Sequence, residues 1–228
     1  MNMEKLKVCV VGAGVVGLSC ALKIYEEYLD SVNITVVADS FLDDTTSCGS
    51  GGLWEPYQIA GTPDHKINQW GKHSFEHFSQ LYQSKDAAAA GVQMMTCYQL
   101  LEPNEKLSLP EWRDIVFNFT ELNAEDFRKL NLPARFTKGY SFGTFVVDQK
   151  YYLRYLTSKL ESAGVTFVKR KLASLEELRS THGGSGYDVV VNCAGMGSAA
   201  LVADKHMYPI RGQVLRVRSL LDRVDRNS

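Results

Sequence analysis

Leu6 to Val11 is an uninterrupted apolar run of strand length, the pattern of a parallel strand buried on both faces. The period then changes. Leu18, Ala21, Leu22, Tyr25 and Leu29 recur at helical spacing, with Lys23, Glu26, Glu27 and Asp30 between them, which predicts an amphipathic helix. Residues 33 to 38 are dominated by β-branched side chains and end at Asp39, a second strand. Strand, helix and strand together occupy roughly the 30 residues that a βαβ unit requires.

Beyond this unit the texture shifts. Residues 40 to 52 are rich in Asp, Thr, Ser and Gly and read as a loop. Helical spacing returns over 67 to 82. A low-complexity alanine patch follows at 87 to 90, and then short strand-like pieces near 92 to 101 and 115 to 119. Asp148 is expected to cap a helix whose Tyr152, Tyr155, Leu156, Lys159, Leu160 and Ala163 share one face, with Gly164 as its stop. Residues 165 to 169 read as a strand, 175 to 178 as a short helix and 187 to 193 as another buried strand. No internal repeat is visible. The order predicts an α/β class with a discontinuous layout: a Rossmann-like nucleotide-binding domain from residues 1–55 and 145–205, and an inserted α+β domain from 56–144 and 206–228.

Composition narrows the partners. Among 228 residues, 45% are hydrophobic and 22% charged, as in ordinary globular domains. The net charge of −1 supplies no field to attract nucleic acid or an anionic membrane. No stretch reaches the ~18 apolar residues that span a bilayer. The charged start followed by an apolar run resembles a signal peptide, but it leads straight into glycines suited to a strand-to-helix turn, so it reads as the first strand. The sequons at Asn33 and Asn118 are then incidental. Cys9, Cys20, Cys48, Cys97 and Cys193 are odd in number and contain no C-x-x-C pair, the usage of a reducing compartment.

The chemistry-bearing motif is Gly12-Ala13-Gly14-Val15-Val16-Gly17, between the first strand and its helix. Gly12 suits the tight turn, Gly14 a close approach of the backbone to a pyrophosphate, and Gly17 close packing of helix on strand. Phosphates would then meet the positive end of the helix. Asp39, about 20 residues on at the end of the second strand, is placed to accept hydrogen bonds from ribose hydroxyls. The hydroxyls and glycines of 43 to 52 could reach a pyrophosphate from the opposite side, which favours FAD over NAD only modestly. An NAD-dependent dehydrogenase stays open on these residues alone.

The combination of VVGAGVVGLS, DTTS followed by GGLWEPY, YDVVVNCAGMGS and YPIRGQVLRV resembles the D-amino-acid oxidase and D-aspartate oxidase family over roughly residues 7 to 217. The resemblance implies an FAD domain of glutathione-reductase type with an inserted substrate domain. It also implies oxidation of a D-amino acid to an imino acid, with oxygen reduced to hydrogen peroxide and the imino acid hydrolysed to a keto acid and ammonia. By position, FAD contacts fall to Gly12, Ala13, Gly14, Val15, Val16, Gly17, Asp39, Thr45, Thr46, Ser47, Gly52, Leu53, Leu172, Ala194 and Gly195. Glu55 stands where D-amino-acid oxidases have a glutamine near the substrate, and D-Asp is therefore expected to be a poor substrate. The partners implied are a small D-amino acid and oxygen, with a homodimer left open. A peroxisomal location is implied as well, although no C-terminal targeting tripeptide is present.

The family's substrate arginine, its substrate tyrosines and its last glycine-rich flavin motif would all lie beyond Ser228. The expectation is a C-terminally shortened chain that holds FAD weakly and turns over no D-amino acid alone, and a non-catalytic isoform is the competing reading. Other signals are weaker. His73 and His77 stand at i, i+4 but without a glutamate between them or a third ligand, so a solvated helix face is expected and no metal. Tyr151, Tyr152 and Tyr155 read as packing residues and Arg211 as a structural one.

Overall fold

A computed structural model of the protein describes residues 4–213 apart from positions 58, 60, 182 and 183. The first elements are β1 (Leu6–Val11), α1 (Val15–Tyr28) and β2 (Val32–Ala38). Next come α2 (Asp64–Tyr82), β3 (Val92–Leu101), β4 (Phe117–Glu121), α3 (Ala124–Lys129) and β5 (Lys138–Val147). The last are α4 (Gln149–Ser162), β6 (Thr166–Lys169), β7 (Ser180–Thr181), β8 (Gly184–Ser185), β9 (Val189–Asn192) and α5 (Ser198–Leu201). The loop expected at 40 to 52 contains two short 3-10 turns, Leu42–Asp44 and Thr46–Gly49. Of the YPIRGQVLRV segment at 208 to 217, residues 208 to 213 carry no regular structure and the remainder lies outside the described residues.

The chain divides into two compact units, one from residues up to Gly51 together with those from Thr157 onward, the other from Gly52 to Leu156. The boundaries read from the sequence lay at 55, 144 and 205. β5 and the segment around Leu53 hydrogen-bond within the second sheet, and both fall in the second unit.

In the first unit four parallel strands lie in the order β6-β2-β1-β9. The central pair is sheathed on both sides, so Val8, Cys9, Val10, Val11, Val36 and Val37 are all buried, as an uninterrupted apolar run requires. Cys9, Val11 and Val37 form one cluster with Leu178, against which Leu172, Leu175, Tyr187 and Ala194 pack. Burial alone pushes the Cys9 thiol up to about 11. Helix α1 buries Gly17, Leu18 and Ala21. It stops at Tyr28, and Leu29 takes a left-handed φ of 43° and is 55% exposed, so it leaves the apolar face on which its spacing placed it.

The second unit is built on an antiparallel sheet in the order β3-β5-β4. Phe75 of α2 lies against Phe145 and Phe117 at ring distances of 4.9 and 5.0 Å. Trp54 meets Phe75 edge-on at 4.8 Å and donates its indole N–H to Ser74 Oγ at 2.9 Å. At the start of α4, Asp148 accepts from the Lys150 N–H at 3.0 Å. His77, read as facing solvent, has its Nε2 3.0 Å from the Tyr152 hydroxyl, while Tyr152 itself is buried. Among the described residues no helix is long and apolar enough to cross a membrane. All five cysteines are free thiols.

Candidate cofactor site

The carboxyl ends of the four parallel strands finish level, with Val11 opposite both Val37 and Asn192, and Ala38 opposite Lys169. In open parallel sheets this edge is where ligands bind. Pairing persists one step past the strands, through Gly12 N–H to Val37 O at 2.8 Å, Cys193 N–H to Val11 O at 2.8 Å and Arg170 N–H to Ala38 O at 2.8 Å. The loops carrying Gly12, Ala194 and Leu172 therefore leave the sheet at fixed positions.

The turn itself admits no side chain at its glycines. Gly12 has φ +110°, and a Cβ there would run into the Cys193 carbonyl. A Cβ on Gly17 would collide with the Gly12 carbonyl, so helix and turn touch backbone to backbone. At Gly14 a Cβ would come 2.9 Å from Ser47 Oγ. That oxygen accepts a hydrogen bond from the Val15 N–H at 2.9 Å. The approach that Gly14 permits is thus made first by Ser47, from a loop after β2.

Helix α1 has no side-chain cap at Gly14, and its first internal bond runs from Leu18 N–H to Gly14 O at 3.0 Å. With Val15 engaged by Ser47, the Val16 and Gly17 N–H groups have no acceptor among the described residues, and Val16 is 61% exposed. Open donors at a helix start, beside a turn whose glycines are closely packed, fit a pyrophosphate. Asp39 follows β2 one strand away, exposed and free of any described hydrogen bond. Ala13 is buried beneath the turn.

The remaining expected residues are placed as follows. The Thr45 hydroxyl donates to Leu42 O at 2.7 Å, and Thr46 is exposed. Leu172 sits on a loop fastened by Glu177, whose carboxylate accepts from the Ala173 N–H at 2.6 Å and the Ser174 N–H at 3.2 Å and pairs with Arg170. Those bonds, the one from Ala173 first, pull the Glu177 carboxyl below its usual range. Ala194 donates its N–H to Asn192 Oδ1 at 3.2 Å, and Gly195 turns with φ +54°. Gly12, Gly14, Gly17, Ser47 and Ala194 are brought together. Gly52 and Leu53 belong to the second unit. There Gly52, at φ +73°, lies so close to the Val147 carbonyl that a Cβ would collide with it, and Leu53 bridges Val146.

Two features, one in each unit, escape a reading along the sequence. Cys193 forms the wall against Gly12. Its thiol is pushed up to about 12, by burial first and then by the neighbouring Cys20 of α1. Glu55, in the second unit, is half-buried, and burial raises its carboxyl above the usual value. Its charge in turn helps to raise Cys97 and Tyr140, after burial in each case. These neighbours come from strands far along the chain, and no local pattern signals them.

A family model described as FAD dependent oxidoreductase matches residues 7–227. Human D-aspartate oxidase is 32% identical over 95% of this chain and 61% of its own length. A D-amino-acid oxidase of Rubrobacter xylanophilus is 36% identical over 91% of this chain and 58% of its own. The chain thus spans about three-fifths of the length of these curated relatives. Among solved structures, glycine oxidase from Geobacillus kaustophilus superposes with a TM-score of 0.65 at 15% identity, covering 88% of this chain and 58% of that one. L-α-glycerophosphate oxidase from Mycoplasma pneumoniae, solved with FAD bound, gives 0.60 at 15%, covering 88% and 58%. At that identity the likeness shows the shared fold. With a family match over nearly all its length, the chain belongs to the FAD dependent oxidoreductase family.

Proposed function

We propose that the protein binds FAD at the carboxyl edge of its parallel sheet and oxidises D-amino acids to keto acids, ammonia and hydrogen peroxide. One observation carries the reading: every glycine of the turn is packed where a side chain would clash, while the adjoining Val16 and Gly17 N–H groups stay open. Val16 and Gly17 would donate to the pyrophosphate, Ser47 would hold the turn in shape, and Asp39 would accept from the ribose hydroxyls.

When bound, FAD supplies a two-electron acceptor for the amino acid's Cα–H and amine, with oxygen as the final oxidant. The balance is amino acid plus oxygen giving imino acid plus hydrogen peroxide, followed by addition of water and loss of ammonia. A peroxisomal location belongs to the same proposal, because peroxide is best made where it is destroyed. The D-aspartate and D-amino-acid oxidases among the relatives support the substrate class.

The test is to purify the full-length protein, record its visible spectrum, and follow peroxide release with paired D- and L-amino acids. Flavin absorbance bands and release confined to the D-enantiomers are the expected result. A colourless protein whose turnover requires NAD would overturn the proposal. Sedimentation of the same preparation tests the homodimer.

A further inference from the structure

The turn that walls Gly12 owes little to packing. It runs from Cys193 to Gly197, within the first unit, and joins β9 to α5. Ala194 near its start and Leu201 just after it pack on the cluster of Cys9, Val11 and Val37. Between them Gly195, Met196 and Gly197 are exposed. A Cβ added at Gly195 would meet nothing within 4 Å, and one at Gly197 only the Ala194 Cβ at 3.4 Å. Neighbouring atoms therefore do little to set the shape of this turn, and hydrogen bonds must do so.

Asn192, the last residue of β9, supplies them. Its Oδ1 accepts from the Ala194 N–H at 3.2 Å. That donor needs an oxygen opposite it, which fixes how the amide faces and turns Nδ2 toward Ser198. The buried Ser198 hydroxyl accepts from Nδ2 at 3.2 Å and donates to Oδ1 at 3.4 Å. Asn192 thus ties the beginning of the turn to the first residue of α5.

The backbone held in this way is the backbone that Gly12 touches. Asn192 stands opposite Val11 in the β1–β9 register, and the Cys193 N–H donates to Val11 O at 2.8 Å. A Cβ on Gly12 would run into the Cys193 carbonyl and lie 3.2 Å from the Ala194 nitrogen. The nitrogen that Asn192 secures is therefore part of the wall of the glycine turn. Binding geometry is productive only within about 0.5 Å, and it is kept there by neighbours whose rotamers hydrogen bonds have locked.

We infer that Asn192, locked by Ser198, is a positioning residue of the cofactor site: its amide fixes the 193–197 turn against Gly12, and FAD affinity depends on it. The inference rests on the reading that FAD binds at this edge of the sheet, and adds to it a residue that acts through the backbone beside it.

The test uses the full-length protein, freed of flavin, and four variants. Asn192→Ala and Ser198→Ala remove the clamp from either side, and Asn192→Asp keeps an acceptor for the Ala194 N–H. Ile34→Val trims a buried side chain of β2 away from the turn and controls for lost stability. FAD is titrated by quenching of its fluorescence. Kd is expected to rise about tenfold in Asn192→Ala and about threefold in Ser198→Ala, the range for one lost hydrogen bond, and less than about twofold in Ile34→Val. Amide exchange at Cys193 in the flavin-free proteins reads the turn itself, because that N–H bonds to Val11 and not to Asn192. Faster exchange in Asn192→Ala, recovered in Asn192→Asp, is expected. A Kd in Asn192→Ala no higher than in Ile34→Val, or Cys193 exchange equal to the wild type, overturns the inference and leaves the FAD reading standing. A wild type that takes up no FAD removes the FAD reading, and the inference with it.

Discussion

Ser47 and Val15, 32 positions apart, are joined by one hydrogen bond of 2.9 Å from the Val15 backbone N–H to the Ser47 hydroxyl. That bond caps the first turn of α1 from outside the helix, doing the work an N-cap side chain does elsewhere. The helix has Gly14 at its own N-cap position, which provides no side chain for the purpose.

Ser47→Ala is therefore expected to lower stability by about 1 kcal/mol, the usual effect of losing a capping hydroxyl. Urea unfolding measures it. The same hydroxyl is what a methyl at Gly14 would meet, at 2.9 Å, whereas Ser47 Cβ stands 4.0 Å away. Gly14→Ala should thus be less damaging in the Ser47→Ala background than in the wild type. A double-mutant cycle should show a coupling of roughly 0.5–3 kcal/mol, and strict additivity would mean that Gly14 makes room for something else.

Asp39→Ala removes an exposed carboxylate that bonds to no other side chain or backbone group among the described residues. Stability should stay within ~0.5 kcal/mol of the wild type. FAD affinity should fall by about 1–3 kcal/mol, or roughly 5- to 150-fold, as charge-assisted hydrogen bonds to the ribose are lost. Quenching of flavin fluorescence on titration reads the change, and an unaltered Kd would remove Asp39 from the site.

The βαβ opening was legible in the sequence because all its signals are local: a buried run, a glycine turn, a helical period and a terminal acid fall within one short stretch. β5 was not read as a strand, although it is the middle of its sheet. It is buried on both faces, so no clean alternation marks it, and Gly139 and Gly143 lower its apparent strand character. Those glycines are required, since Gly139 lies against the Gln99 backbone and a Cβ at Gly143 would come 3.0 Å from Phe117 Cβ. Missing β5 also shifted the domain boundary, because Gly52 and Leu53 join the second unit by pairing with it. The wall that Cys193 makes for Gly12, and the grouping of Glu55 with Cys97 and Tyr140, arise from contacts between distant segments. Spacing along the chain carries no trace of them.

Thr144→Val tests how firmly the Glu55 segment is mounted. Thr144 is fully buried and its hydroxyl meets the Trp54 carbonyl at 2.8 Å. Valine has nearly the same shape but no donor, so the carbonyl is left buried and unsatisfied. A loss of about 1–3 kcal/mol in urea unfolding is expected. Loss of the hydroxyl without cost would show that water takes its place.

Cys9 gives the protein an alkaline limit. Its buried thiol holds its proton up to about 11, whereas an unfolded thiol releases its proton near ~8.5. Between those values the folded state binds the extra proton, so stability falls as pH rises, by up to about 1.4 kcal/mol for each pH unit. Below pH ~8.5 this contribution is constant. Unfolding midpoints measured from pH 8 to 11 should decline in the wild type, and Cys9→Ala should lessen the decline, to which Cys193 also contributes, while lowering stability at neutral pH.

The two central strands of the parallel sheet recruit their outer neighbour from far away. Lys7 N–H donates to the Asp188 carboxylate at 2.7 Å across 181 positions, and Val8 pairs with Val189. A nascent chain growing at ~5–20 residues per second therefore waits roughly 10–40 s between making β1 and making its partner. Through that interval the glycine turn lacks the Cys193 wall, and one edge of β1 is unpaired and able to join another chain. The glycine turn is thus completed long after its first strand is made, and its assembly, with its high contact order, is expected to be the slow step of folding.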